Sequence, residues 1–206
     1  MNDRLAKIGD DLKEVEMVGL VHEGAGQSHE QGTRIDTRVS VRVAIPRDSE
    51  KLRGMFSRVS FETIYQRFHI PYPDVPEWML ALMLDANHHD KEVLVAVAEE
   101  EIVGHAMYVR PDEGSEAEMA IIVEDGWQSK GVGKSLLSEL AKRALLGGVE
   151  IFTAEVLGTN QRMLGLAAMF AETDYTTKGG LCHVRMLLRT LKPMAYDAAR
   201  ALRRAA

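Results

Sequence analysis

Between Glu116 and Gly148 the chain runs from an apolar stretch, AEMAIIV, through the loop EDGWQSKGVG into KSLLSELAKRALLGG, where Leu136, Leu137, Leu140, Ala144 and Leu145 recur at helical spacing. Gly131 and Gly133 open that helix without side chains to obstruct a ligand, and the N–H groups of a first helical turn have no intrahelical acceptor. The helix dipole places partial positive charge at the same point, and Lys130 and Lys134 add full charges beside it. Such a loop cradles phosphate. Two nucleotide signatures fail on it. A G-x-x-x-x-G-K-[ST] loop read back from Gly133-Lys134-Ser135 meets Gln128 where its first glycine belongs, and a G-x-G-x-x-G loop meets Leu136 at its third. The next strand, VEIFTAEVL, ends in leucine rather than in an aspartate that could hold magnesium. Cys182 stands beside His183, but strand alternation sends the two to opposite faces, so a buried structural cysteine is expected in place of a nucleophile pair. One cysteine, together with adjacent histidines at 88 and 89 that cannot point at one ion, implies neither a disulfide nor a metal site.

Composition narrows the partners. A net charge of −6 and a pI near 5.7 argue against nucleic acid, whose phosphates need a surplus of Lys and Arg on one face. No run approaches the eighteen apolar residues of a membrane span, and the opening MNDRLAKIGDDLKEVEM carries charges where a secretory signal is apolar; a cytoplasmic protein is expected. The charge is unevenly spread. Residues 92–125 hold ten acids against Arg110 alone, whereas residues 126–148 hold Lys130, Lys134, Lys142 and Arg143 against Glu139. Two solvated faces of opposite sign would explain this, as would an anionic ligand on the second segment with a cationic one near the first.

The elements that must position the loop follow from periodicity. Residues 1–37 read as an arm and linker, with a short helical pattern and then HEGAGQSHEQGTRID. A domain over 38–190 begins with the alternating VSVRVAI, stopped by Pro46. Helices are expected over 49–57 and 60–69, the second capped by Ser60, and a third after Pro71, Pro73 and Pro76 with Trp78, Leu82 and Met79 on its buried side. EVLVAVAE, EIVGHAMYV and EAEMAIIV read as an antiparallel meander joined by a tight turn at 99–101 and by PDEGS. After the glycine-loop helix come a strand at 149–157, a helix from Asn160 to Ala171 and the strand LCHVRMLLR. The segment 191–206 reads as a helical tail.

The stretch Val123, then EDGW, then Gln128-Ser-Lys-Gly131-Val-Gly133 resembles the acyl-CoA loop of the GNAT N-acetyltransferase superfamily, an apolar strand followed by [QR]-x-x-G-x-[GA] at a helix start. The element order agrees over 38–190. The resemblance implies a mixed α/β domain whose central, mostly antiparallel sheet has splayed middle strands and is flanked by helices. It further implies acetyl-CoA as cosubstrate, Ile121, Ile122 and Val123 against pantetheine, and Gln128, Ser129, Lys130, Gly131, Val132, Gly133, Lys134 and Ser135 around the pyrophosphate. Asn160 matches an asparagine found near the cofactor after the fifth strand.

A narrower likeness joins SRVSFETIYQRFH, with Ser60, Glu62, Thr63, Arg67 and Phe68, and the AEMAIIV strand to the acetyltransferase domain of bacterial Pat-type protein lysine acetyltransferases. It implies acetylation of protein lysines, acyl-CoA synthetases among them, with Glu118 as general base. Physical chemistry agrees that a base is needed, because a lysine amine with a pKa near ~10.4 is almost wholly protonated at neutral pH. Alternation puts Glu118 with Ala120 and Ile122 on one side of its strand, among apolar side chains that would raise a carboxyl pKa, and Met119, Ile121 and Val123 on the other. The sequence departs from the superfamily where a tyrosine often protonates the leaving thiolate, since NQRMLGLAAMFAETDY has none before Tyr175. A thiol with a pKa near ~8.5 can leave without an acid. Asp174 stands where a glycine commonly precedes an aromatic residue, in a turn that aspartate tolerates. A small-molecule amine acetyltransferase and a non-catalytic acyl-CoA-binding regulator are the alternatives. The acceptor, any effector and the oligomeric state stay open.

Overall fold

The seven strands lie in one sheet of order β1-β2-β3-β4-β5-β7-β6 in the computed structural model, which describes residues 39–70, 75–111 and 113–190. The expected arm, residues 71–74 and the tail at 191–206 lie outside the described residues. β1 (Val39–Val43), β2 (Lys91–Ala98), β3 (Glu101–Val109) and β4 (Glu116–Val123) pair antiparallel in succession. β4 pairs parallel with β5 (Ile151–Leu157), and β7 (Leu181–Leu187) lies antiparallel between β5 and β6 (Glu172–Lys178). Between β2 and β3 the chain turns at Glu99 and Glu100, both at positive φ, a conformation that matches the twist of a tight hairpin.

Helices cover both faces. On one, α1 (Ser49–Arg58), α2 (Phe61–Phe68) and α3 (Glu77–Leu84) bury Leu52, Met55, Ile64, Leu80 and Met83 against Val93, Val95, Ile102 and Ile122 of the sheet. On the other, α4 (Val132–Leu146) and α5 (Gln161–Phe170) bury Leu136, Leu137, Leu140, Ala167 and Phe170 against Leu94, Ala106, Met119 and Phe152. Burying an aliphatic side chain stabilises by roughly 1.5–3 kcal/mol, so these two layers hold the sheet in place. Gly147 and Gly148 end α4 as expected, the second at φ 82°.

The structure corrects three expectations. Trp78 and Leu82 are 62% and 53% exposed; α3 is apolar all round, and Met79, Leu80, Met83 and Leu84 make its buried face instead. Met79 alone of the three expected residues faces the core. ETDYTTK forms the edge strand β6, which its mostly exposed side chains conceal from pattern reading. Asp174 therefore sits in extended strand paired with Arg185, and there is no turn at that position. Cys182 is buried and His183 exposed, on opposite faces of β7. No helix among the described residues is long and apolar enough to cross a membrane.

Candidate active site

β4 and β5 hydrogen-bond only over Glu116↔Ile151, Ala117↔Phe152 and Glu118↔Thr153, and then part. From Met119 to Val123 the strand edge facing β5 has lost its partner, which leaves main-chain donors and acceptors open toward the gap. A cavity of about 700 Å³ occupies the divergence, lined by Met119–Val123 on one side and Ala154–Val156 on the other. Glu118 stands at the apex, in the last paired position, with its exposed side chain on the cavity wall. The alternation read from the sequence holds. Met119 packs with α4 and α5, Ile122 packs with α1–α3, and Glu118 shares the second face.

The loop after β4 closes one end of the cavity. A short 3₁₀ turn (Asp125–Trp127) leads to Ser129 at φ 59° and Gly131 at φ 87°, left-handed conformations that aim successive amides to one side. Gly131 is the N-cap of α4; its carbonyl accepts the first helical bond from Ser135 N–H at 3.0 Å, so the amides of Val132, Gly133 and Lys134 precede the ladder. A Cβ placed on Gly133 would stand in ordinary contact with Leu166, Val123 and Ile121 at 3.6–3.9 Å, and a longer side chain would enter the cavity that Gly133 lines. This cradle of main-chain amides beside an unpaired strand edge fits an elongated ligand with a pyrophosphate at one end.

Most of the expected cofactor residues meet here. Ile121, Ile122, Val123, Gln128, Ser129, Gly131, Gly133, Lys134 and Asn160 all line the cavity, while Lys130, Val132 and Ser135 do not. The Val132 side chain is in the core, Ser135 Oγ donates to Gly131 O at 3.1 Å, and Lys130 Nζ lies 5.3 Å from the Trp127 ring centroid. Gln128 has a further use beside the one its motif position implies. Its amide donates to Val123 O at 3.0 Å and Thr63 Oγ1 at 3.1 Å, and accepts from Arg162 Nη1 at 2.6 Å, so the side chain clasps β4, α2 and α5 together. Asn160 Oδ1 accepts from Met163 N–H at 3.1 Å and caps α5.

Sequence reasoning did not place α2 on the site. Ser60 caps it, as expected, and Asp125 accepts from Ser60 N–H, Ser60 Oγ and Thr63 Oγ1, each at 2.8 Å. Burial acts to raise the Asp125 carboxyl, and those donors together hold it below the ordinary aspartate value. Pinned this way, α2 packs over β4 and β5 and brings Thr63, Gln66, Arg67, Phe68 and His69 to the cavity. Glu155 on β5, and Arg162 and Met163 on α5, join the lining as well. The signals for that face were the i, i+4 spacing of Thr63 and Arg67 and their place in the SRVSFETIYQRFH likeness.

The described acids of residues 92–125 do not form one patch. Glu92 is buried beside His88 and Arg143, Glu101 and Glu124 flank Arg58, and Glu116 meets Arg185. Glu118 is left facing the cavity. Among the described residues no group of three or more His, Cys, Asp or Glu is placed to hold a metal ion.

A sheet parted at its centre over a helix N-terminus is the frame of the site, and comparison with known proteins says to which class it belongs. The model of the acetyltransferase (GNAT) family matches residues 58–170, and the chain belongs to that family. The acetyltransferase Pat of Mycolicibacterium smegmatis is 30% identical over 127 residues, 60% of this chain and 38% of that protein, so the chain spans well under half of that relative. The crystal structure of the GNAT domain of S. lividans PAT superposes with a TM-score of 0.68 at 27% identity, covering 74% of this chain and 94% of that one. A Salmonella typhimurium protein solved with its cofactor acetyl-CoA shares the fold, at a TM-score of 0.57 and 20% identity over 73% of this chain and 94% of its own.

Proposed function

We propose that this chain acetylates the side-chain amine of lysine in protein substrates, acyl-CoA synthetases among them, by direct transfer from acetyl-CoA. The observation that carries the reading is Glu118 at the apex of the parted strands, where a coenzyme laid along the β4 edge would end. The likeness to Pat over most of the domain supports a protein acceptor.

The coenzyme supplies an acetyl thioester. In this reading the amides from Ser129 to Lys134 hold its pyrophosphate, the unpaired edge of Ile121, Ile122 and Val123 aligns the pantetheine arm, and Lys134 adds charge to the cradle. Glu118 accepts the proton of the entering ammonium, because only the neutral amine carries a lone pair for the thioester carbonyl. No tyrosine lies on α5, so the departing thiolate takes its proton from water or leaves as the anion.

The test offers the protein acetyl-CoA with an acyl-CoA synthetase, lysine peptides and a panel of polyamines and aminoglycosides, and follows CoA release and acetyl mass shifts. Acetylated lysine on the protein or peptides is the expected result. Turnover confined to the small amines replaces the acceptor. A rise in melting temperature with acetyl-CoA and no turnover on any amine replaces catalysis with acyl-CoA sensing.

A further inference from the structure

Arg67 has no counterpart in the chemistry described so far. It sits one helical turn beyond Thr63 on α2, and Thr63 is fixed to Asp125 and Gln128, so the arginine is held over the cavity by a pinned helix. Its Nε is sealed from solvent and meets no acceptor. Among the described residues its side chain makes no hydrogen bond or ion pair, and its guanidinium carbon lies 4.8 Å from the ring centroid of Phe68. Burial pulls its pKa down to about 10, with the charge of Glu118 opposing, so the group is cationic at neutral pH. A guanidinium offers five N–H donors in a fixed fork, and native interiors rarely leave such donors unmet. The rest of the half-buried guanidinium opens on the cavity, where a ligand can supply acceptors in place of water.

The position selects which ligand. Arg67 feels Glu118, which lies on the α1–α3 face of β4, the side from which an amine must come to lose its proton. The cradle at the start of α4 is separately built from main chain. A bare cation beside the base also repels an ammonium unless the acceptor brings an oxygen to meet it.

We propose that Arg67 is the acceptor-recognition residue: its guanidinium donates to an oxygen of the acceptor, a carboxylate or a main-chain carbonyl a few bonds from the amine that reaches Glu118. The inference rests on the function proposed above and narrows it to amines that carry such an oxygen, which excludes simple polyamines as good substrates.

Three acceptors with the same terminal amine separate the cases: Nα-acetyl-lysine, its N-methylamide, and pentylamine, which has no oxygen. Arg67→Gln is expected to bind acetyl-CoA with unchanged affinity in calorimetry. Its kcat/KM should fall about 30-fold with the oxygen-bearing acceptors and less than about threefold with pentylamine. A loss confined to Nα-acetyl-lysine assigns the carboxylate, and equal losses with the methylamide assign the carbonyl. Arg67→Lys should recover part of the loss in the carboxylate case, since it keeps the charge and not the fork. Equal loss on all three acceptors, no loss on any, or a parallel fall in acetyl-CoA affinity overturns the assignment while leaving the lysine reading standing. A wild type that binds acetyl-CoA and turns over none of the three overturns the lysine reading, and this assignment falls with it.

Discussion

Two walls of the cavity are built from different material. Along β4 and the loop into α4 the wall is main chain: an unpaired strand edge, Ser129 and Gly131 in left-handed conformations, and the first amides of a helix. Across from it α2 presents side chains, with Arg67, Phe68 and His69 facing Glu118 and Glu155 of the sheet. A main-chain wall recognises what every acyl-CoA shares and tolerates exchange of most side chains. A side-chain wall changes its preference with one substitution. Gln128 joins the two, one amide reaching β4, α2 and α5.

Substitutions can break each wall separately. Glu118→Gln should lower the acetylation rate about a hundredfold or more while acetyl-CoA binds as before, measured by steady-state kinetics beside calorimetry; an unchanged rate removes Glu118 as the base. The sheet beneath α3, beside that second wall, is expected to titrate. His105 is fully buried on β3, its Nε2–H donating to Met83 O of α3 at 2.8 Å. Burial pushes its pKa down to about 4 from 6.5, chiefly by desolvation. The folded state therefore binds this proton later than the unfolded chain, so stability is complete above about pH 6.5, declines as pH falls and levels off below about 4. The decline is expected to reach about 2–3 kcal/mol in denaturant titrations at stepped pH, and His105→Gln should flatten it.

On the main-chain wall, Gly133→Leu should push a side chain into the space bounded by Leu166, Val123 and Ile121. Acetyl-CoA affinity should fall about tenfold by titration with little change in melting temperature. Gln128→Ala cuts the clasp, and should cost about 1–2 kcal/mol in chemical unfolding and weaken acetyl-CoA about threefold. A change in only one of the two readouts would show that the walls are held independently. Asn160→Ala loses only a helix cap, about 1 kcal/mol of stability, and should leave turnover nearly intact.

The main-chain wall could be read from sequence because it is local. A periodic helix, two glycines at its start and an apolar strand before it lie within about thirty residues, and each obeys a rule of backbone conformation that neighbours in the chain enforce. The same locality gave the cap at Ser60 and the opposed faces of Cys182 and His183. It failed for α3, where apolar residues all round left no stripe to choose, and for β6, an edge strand with little to bury. The splay itself depends on where β4 and β5 stop pairing, and those strands are joined through a loop and the whole of α4. Glu118, Glu155 and Arg67 come from three elements separated by dozens of residues, and only packing brings them to one cavity. Gln128 shows the limit most plainly: its place in the loop follows from the motif, but its side chain answers to Thr63 and Arg162, partners more than thirty residues away. Backbone geometry is dictated by adjacent residues and so survives in a sequence; side-chain company is dictated by the closing of the sheet and its helices.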